Sequence, residues 1–113
     1  MLYASQSFVD KNPNTAQALV TALVRGLKWV QSHSPEEIAK VMPEEYALGD
    51  KAIFVQSIKT NMPAYSPDGR FTREAAETAY KVLKAFDPNV QNATIDLSKT
   101  YTDTFVTKAN LGN

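Results

Sequence analysis

Two adjacent pairs of carboxylates, Glu36–Glu37 and Glu44–Glu45, are the residues whose type and spacing first suggest chemistry. Neighbouring acids can share acid–base work or hold a cation. Each pair directly follows a proline, Pro35 or Pro43. Proline followed by acids is the pattern of a first helical turn, where the helix dipole stabilises negative charge. A structural role is therefore expected for all four. His33 is the only histidine, and there is no cysteine to join it. It is expected to close the C-terminal turn of a helix, where a cation helps, rather than to ligate a metal or act as a base. Asp68–Gly69 lacks the further oxygen ligands of a calcium loop and is read as a turn. No glycine-rich phosphate loop, dinucleotide fingerprint or nucleophile elbow occurs. No catalytic residue, metal site or cofactor is expected, and the chain is not read as an enzyme.

Binding groups are a different matter. The aromatics Tyr3, Trp29, Tyr46, Tyr65, Tyr80 and Tyr101 could line a ligand site. Trp29, Tyr80 and Tyr101 fall at helical spacing and are expected in the core. Tyr65 and Arg70 flank a polar turn, and loops carry binding groups more often than core elements do. Arg70 offers a planar fork for an anion, or for a surface carboxylate. Tyr65, Arg70 and Tyr3 are thus the candidate ligand-binding residues.

The elements that must position them are mostly helical. Leu2–Val9 reads as a short strand or extended entry. Asn12 and Pro13 then open a long helix to about Ser32. Ala16, Leu19, Val20, Leu23, Leu27 and Val30 form one face; Ala18, Ala22 and Gly26, with Trp29 beside them, form a second. Ser34-Pro35-Glu36-Glu37 is a capping box for a helix to about Val41. A turn from Pro43 stops at Gly49, and Asp50 caps a helix to about Asn61. Ser66-Pro67-Asp68-Gly69 fits a type I turn. Thr72 caps a helix to about Phe86, with Ala76, Ala79, Tyr80, Leu83 and Phe86 on its apolar face and Glu77–Lys81 paired outside. After Pro88 an irregular stretch is anchored by Val90, Ile95 and Leu97. A last helix, Thr102 to Ala109, buries Tyr101, Phe105 and Val106. The sum is a mainly α unit of about five helices with a short N-terminal strand.

The 113 residues suffice for one domain, 1–113, with roughly 60–70% of the unfolded surface buried. Twelve basic and twelve acidic residues cancel, which argues against nucleic acid or an anionic membrane as partner. No apolar run reaches the roughly 20 residues that span a bilayer. No signal peptide is visible at the start, so an exported parent would carry its signal upstream.

Several segments, taken in order, resemble one family. Phe8-Val9-Asp10-Lys11-Asn12-Pro13, with a long helix ending Gly26-Leu27-Lys28-Trp29-Val30, is similar to the C-terminal part of nitrate/sulfonate/taurine-type solute-binding proteins of ABC transporters. Ser34 to Ala39, Tyr65 to Arg70 with Ala75 to Leu83, Ile95-Asp96-Leu97 and Tyr101 to Val106 resemble later segments of the same family, which shares its fold with thiamine-pyrimidine-precursor synthases. The resemblance implies the C-terminal segment of an α/β type-II periplasmic-binding-protein fold. It also implies a periplasmic or extracytoplasmic location, a small anionic or organic solute and an ABC permease as partners, and a missing N-terminal lobe that holds most of the cleft. The synthase activity is not expected, because its site needs histidine and usually cysteine. The alternative is a small helical interaction module working by itself. With two apolar faces on one helix, a homodimer through whichever face stays open is also expected.

Overall fold

In the computed structural model, residues 2–47 and 49–111 are described, and among them the chain forms seven α-helices and no strand. Local chemistry explains most helix boundaries. The Ser5 hydroxyl accepts from the Phe8 N–H (3.2 Å) and starts α1, Gln6–Lys11. Pro13 opens α2, Pro13–Gln31. The capping box forms as expected at α3, Pro35–Val41: Ser34 N–H donates to Glu37 Oε2 (2.8 Å) and Glu37 N–H to Ser34 Oγ (3.2 Å). A 3-10 turn, Glu44–Ala47, leads to Gly49 at φ +83, a backbone shape that glycine takes without steric cost. Asp50 caps α4, Lys51–Asn61, accepting from the N–H groups of Ala52 and Ile53, both at 3.0 Å. Thr72 caps α5, Arg73–Phe86. Asp87 serves two helices at once. Its N–H bonds the Leu83 carbonyl (2.8 Å) to finish α5, and its carboxylate accepts from Asn89 N–H (2.9 Å) to start α6, Pro88–Gln91. A 3-10 turn over Leu97–Lys99 precedes α7, Thr104–Leu111.

The expected N-terminal strand is overturned, and with it the α/β binding-protein fold for these residues. Leu2 to Ser5 carries no regular structure, and Phe8 and Val9 lie inside α1. Without a neighbouring strand, the Ser5 cap and local helical bonds satisfy that backbone better. Asn12 does not cap α2 either; its amide donates back to the Phe8 carbonyl (3.1 Å). The stretch after Pro88 is more regular than expected, because α6 and the 3-10 turn occupy it.

Helices gather into two apolar clusters. In one, Val24 of α2, only 1% exposed, meets Val106 and Ala109 of α7, with Val20 alongside. In the other, Ile38 and Ala39 of α3 meet Ile58 of α4, joined by Val30, Phe54, Val55 and Met62. Gln17 ties α2 to α7 by donating to the Phe105 carbonyl at 2.9 Å. The α2 face that is covered is centred on Val24, not on Leu19 and Leu23, which stand 47% and 52% exposed. Both the Ala18–Ala22–Gly26 stripe and the outer end of α5, Leu83 and Phe86, face solvent. Outside α5, Glu77 pairs with Arg73 (2.8 Å), not with Lys81.

The result is an open arrangement. The radius of gyration is 17.4 Å, against about 13 Å for a compact chain of this length. Its accessible surface of 8613 Å² exceeds by about 2,400 Å² the about 6,200 Å² of a compact monomer of the same mass. No helix among the described residues is long and apolar enough to cross a membrane.

Candidate functional site: the Tyr65–Arg70 loop

The loop between α4 and α5 is built by its own side chains. After a 3-10 turn, Met62–Ala64, the chain extends at Tyr65 and folds over Ser66–Gly69. The Ser66 hydroxyl, rather than its carbonyl, receives the Gly69 N–H (2.9 Å). That frees the Ser66 carbonyl to accept from Gln31 Nε2 of α2 (2.8 Å). From α7, Asn110 Nδ2 donates to the Asp68 carbonyl (3.0 Å) and to the Val106 carbonyl (3.0 Å). Gly69, at φ +77, lies directly on the core: a Cβ there would stand 3.4 Å from both Val24 Cγ2 and Val106 Cγ2. The loop is therefore fixed to the seam between α2 and α7. A turn forms where the sequence suggests one, but a side chain closes it.

Arg70 is held by this turn. Its backbone N–H donates to Asp68 Oδ1 (3.0 Å), and its Nε lies 3.2 Å from Asp68 Oδ2. Both side chains remain more than two-fifths exposed, so the pair is worth little to stability. Its effect is orientation: a guanidinium steadied by one carboxylate still has donors available for an anion or a carbonyl. Tyr65, 43% exposed, stands at the start of the same loop.

Tyr3 does not join them. It is 81% exposed and edges a shallow groove of about 380 Å³ with Leu2, Phe8, Ala16 and Leu19, toward the other end of α2. Another surface hollow, about 440 Å³, runs along Ile53, Gln56, Thr60 and their neighbours on α4 alone. A ligand site needs converging walls, and one helix face supplies a single wall.

His33 and Glu37 make local contacts. His33 stacks on Trp29, with ring centroids 4.1 Å apart, and its Nδ1 lies 2.7 Å from the Trp29 carbonyl. A carbonyl can only accept, so Nδ1 carries the proton. Backbone and hydroxyl hydrogen bonds from Ser34 hold the Glu37 carboxyl below the usual carboxylate range. The hydrogen bond to Glu77 raises Arg73 above the usual arginine value. Among the described residues no three potential metal ligands cluster. What sequence reasoning missed is the anchoring of the loop by Gln31 and Asn110. Both are long-range contacts, and neither residue carries a local pattern that announces them.

No family model matches the chain. Over 67 residues, 58% of the chain, it is 31% identical to the Bacillus subtilis (strain 168) protein described as "Putative binding protein YtlA", of which it covers 20%. A solved structure of a Bordetella bronchiseptica RB50 protein is 46% identical and matches 96% of this chain with a TM-score of 0.92. This chain covers 34% of that one. The chain thus spans about a third of the solved relative and a fifth of the Bacillus one, and it resembles a portion of a protein described as a binding protein.

Proposed function

We propose that this chain is one portion of an extracytoplasmic solute-binding protein that serves an ABC importer of the nitrate/sulfonate/taurine-like class. The carrying observation is its likeness to a portion of a protein described as a binding protein. The motif order from Phe8-Val9-Asp10 through Tyr101-Thr102-Asp103 supports the finer class. In this reading the helices are scaffold, and most of the cleft is made by residues outside the chain. The Tyr65–Arg70 loop stands at the cleft edge, where Arg70, steadied by Asp68, meets an anionic or polar solute. Uptake proceeds by hinge closure around the solute and delivery to a permease.

Calorimetry tests this. The longer protein that contains these residues is titrated with nitrate, taurine and short alkanesulfonates, beside this chain alone. Saturable binding is expected only in the longer protein, and weaker binding after Arg70→Ala. Micromolar binding by the chain alone, or none of these solutes bound by the longer protein, refutes the reading.

A further inference from the structure

Two carbonyls of the candidate turn are each held by a side-chain amide from a different helix. Gln31 of α2 donates to the Ser66 carbonyl (2.8 Å), and Asn110 of α7 donates to the Asp68 carbonyl (3.0 Å). Asn110 gives its second Nδ2 hydrogen to the Val106 carbonyl of its own helix (3.0 Å), which fixes its rotamer. The two clamped residues then act further along the chain through their own side chains. Ser66 Oγ accepts from the Gly69 N–H (2.9 Å). Asp68 engages Arg70 twice, with Oδ1 accepting from its backbone N–H (3.0 Å) and Oδ2 lying 3.2 Å from its Nε. Position is thus passed from α2 and α7, through Ser66 and Asp68, to one guanidinium. Arg73 is the contrast: it is 84% exposed and tied only to Glu77 of its own helix.

We infer that Asn110 and Gln31 are positioning residues for Arg70, and that they present the end edge of its guanidinium, Nη1 and Nη2, to the carboxylate or sulfonate group of a solute. The inference rests on the reading of this loop as a cleft edge, and it names the group recognised there. Asp68 occupies the Nε side of the guanidinium, and among the described residues neither Nη donates to an acceptor. Two coplanar donors match two oxygens of one oxyanion, whereas a halide offers a single centre to both. Asp68 also offsets the charge of Arg70, so the edge selects by the shape of the anion more than by its charge. Such selection requires a guanidinium of fixed direction. An exposed arginine has several rotatable bonds, and only the chain of contacts from Asn110 and Gln31 removes that freedom.

The test follows the arginine Nε–Hε resonances of this chain by NMR at neutral pH. Sodium chloride is exchanged stepwise for sodium methanesulfonate, and separately for sodium acetate, at constant ionic strength. Arg25 and Arg73, the other arginines of the chain, are internal controls. The Arg70 resonance is expected to move about three-fold or more further than either control, as a bidentate contact requires. Asn110→Leu, which removes both amide donors without adding charge, is expected to bring the Arg70 response down to that of Arg25. Gln31→Leu, an exposed change at the end of α2, is expected to reduce it by about half, and it carries the test if Asn110→Leu does not fold. Asp68→Asn is expected to abolish the excess response. An Arg70 response no larger than the controls overturns the inference. So does an unchanged response in folded Asn110→Leu or in Gln31→Leu. A larger response after Asp68→Asn, which loss of a neighbouring negative charge alone would give, also overturns it. Solute titration of the longer protein is read separately. An Arg70 response without solute held by the longer protein counts against the transport role and leaves the positioning intact; solute held there with a flat Arg70 response counts against the positioning alone.

Discussion

Gly26→Ala should make the isolated chain more stable. Glycine inside a helix is usually a cost, because its backbone loses the most freedom on folding. Gly26 lies thirteen residues into α2, inside Pro13–Gln31, far from either cap. Its backbone is not in the left-handed region, and an added Cβ would touch nothing within 4 Å. No steric penalty therefore offsets the helix-propensity gain of about 1 kcal/mol. For a chain of this size that gain raises the melting temperature by about 4 °C. Thermal and urea unfolding followed by far-ultraviolet circular dichroism, at two protein concentrations a hundred-fold apart, reads the effect. An unchanged or lower melting temperature at the dilute end would refute the reasoning, since it would mean that something of the chain's own already covers that flank.

Val24→Ala should cost about 2–3 kcal/mol, two buried carbons plus a cavity, while Leu23→Ala, half exposed, should cost under about 1 kcal/mol; equal losses in urea titrations would place the α2 core face wrongly. Gly49→Ala and Gly69→Ala, at φ +83 and +77, should each lose on the order of 1–2 kcal/mol to backbone strain. A much larger loss at Gly69 would show that the loop presses harder on Val24 and Val106 than contact at 3.4 Å implies. Because the Glu37 carboxyl titrates lower in the folded chain, its contribution to the α3 start is present above its unfolded pKa and lost as pH falls through the folded value. Glu37→Gln should flatten that part of the acid transition, and a Glu37 titration by NMR at or above the ordinary carboxylate value would contradict the assignment.

Helix starts are legible at Ser34, Asp50 and Thr72, where a side chain bonds a backbone N–H three positions on, but not at Ser5, which makes the same bond to Phe8. Ser34, Asp50 and Thr72 all cap as their sequence contexts indicate. Such bonds close within a turn and depend on nothing distant. Which face of α2 is covered was not legible. Apolar residues occupy two arcs of that helix, and periodicity reports both alike; only contact with α7 selects the arc of Val20 and Val24. The N-terminus failed for a related reason. Leu2 to Val9 has strand composition, but a strand exists only beside another strand, and Ser5 offers a local alternative. At the candidate loop, Tyr65 and Arg70 were placed correctly on a polar turn, whereas the grip of Asp68 on Arg70 and the distant anchors Gln31 and Asn110 needed the tertiary structure. Tyr3 was grouped with them by residue type alone, and chain geometry separates it.

Asp87 leaves the joint between α5 and α6 without slack. A single residue both ends one helix and begins the next, so no spare position exists to absorb an inserted amino acid. One extra residue there would swing everything downstream by roughly 100° about the helix axis, carrying Val90 off its present side. The stretch from Asn92 to Asp103 has room for insertions by comparison, since only the three-residue turn Leu97–Lys99 interrupts it. Length variation among descendants of this chain should accumulate in that second stretch and be absent from the first. Deep insertion scanning with a folding reporter would draw the contrast directly.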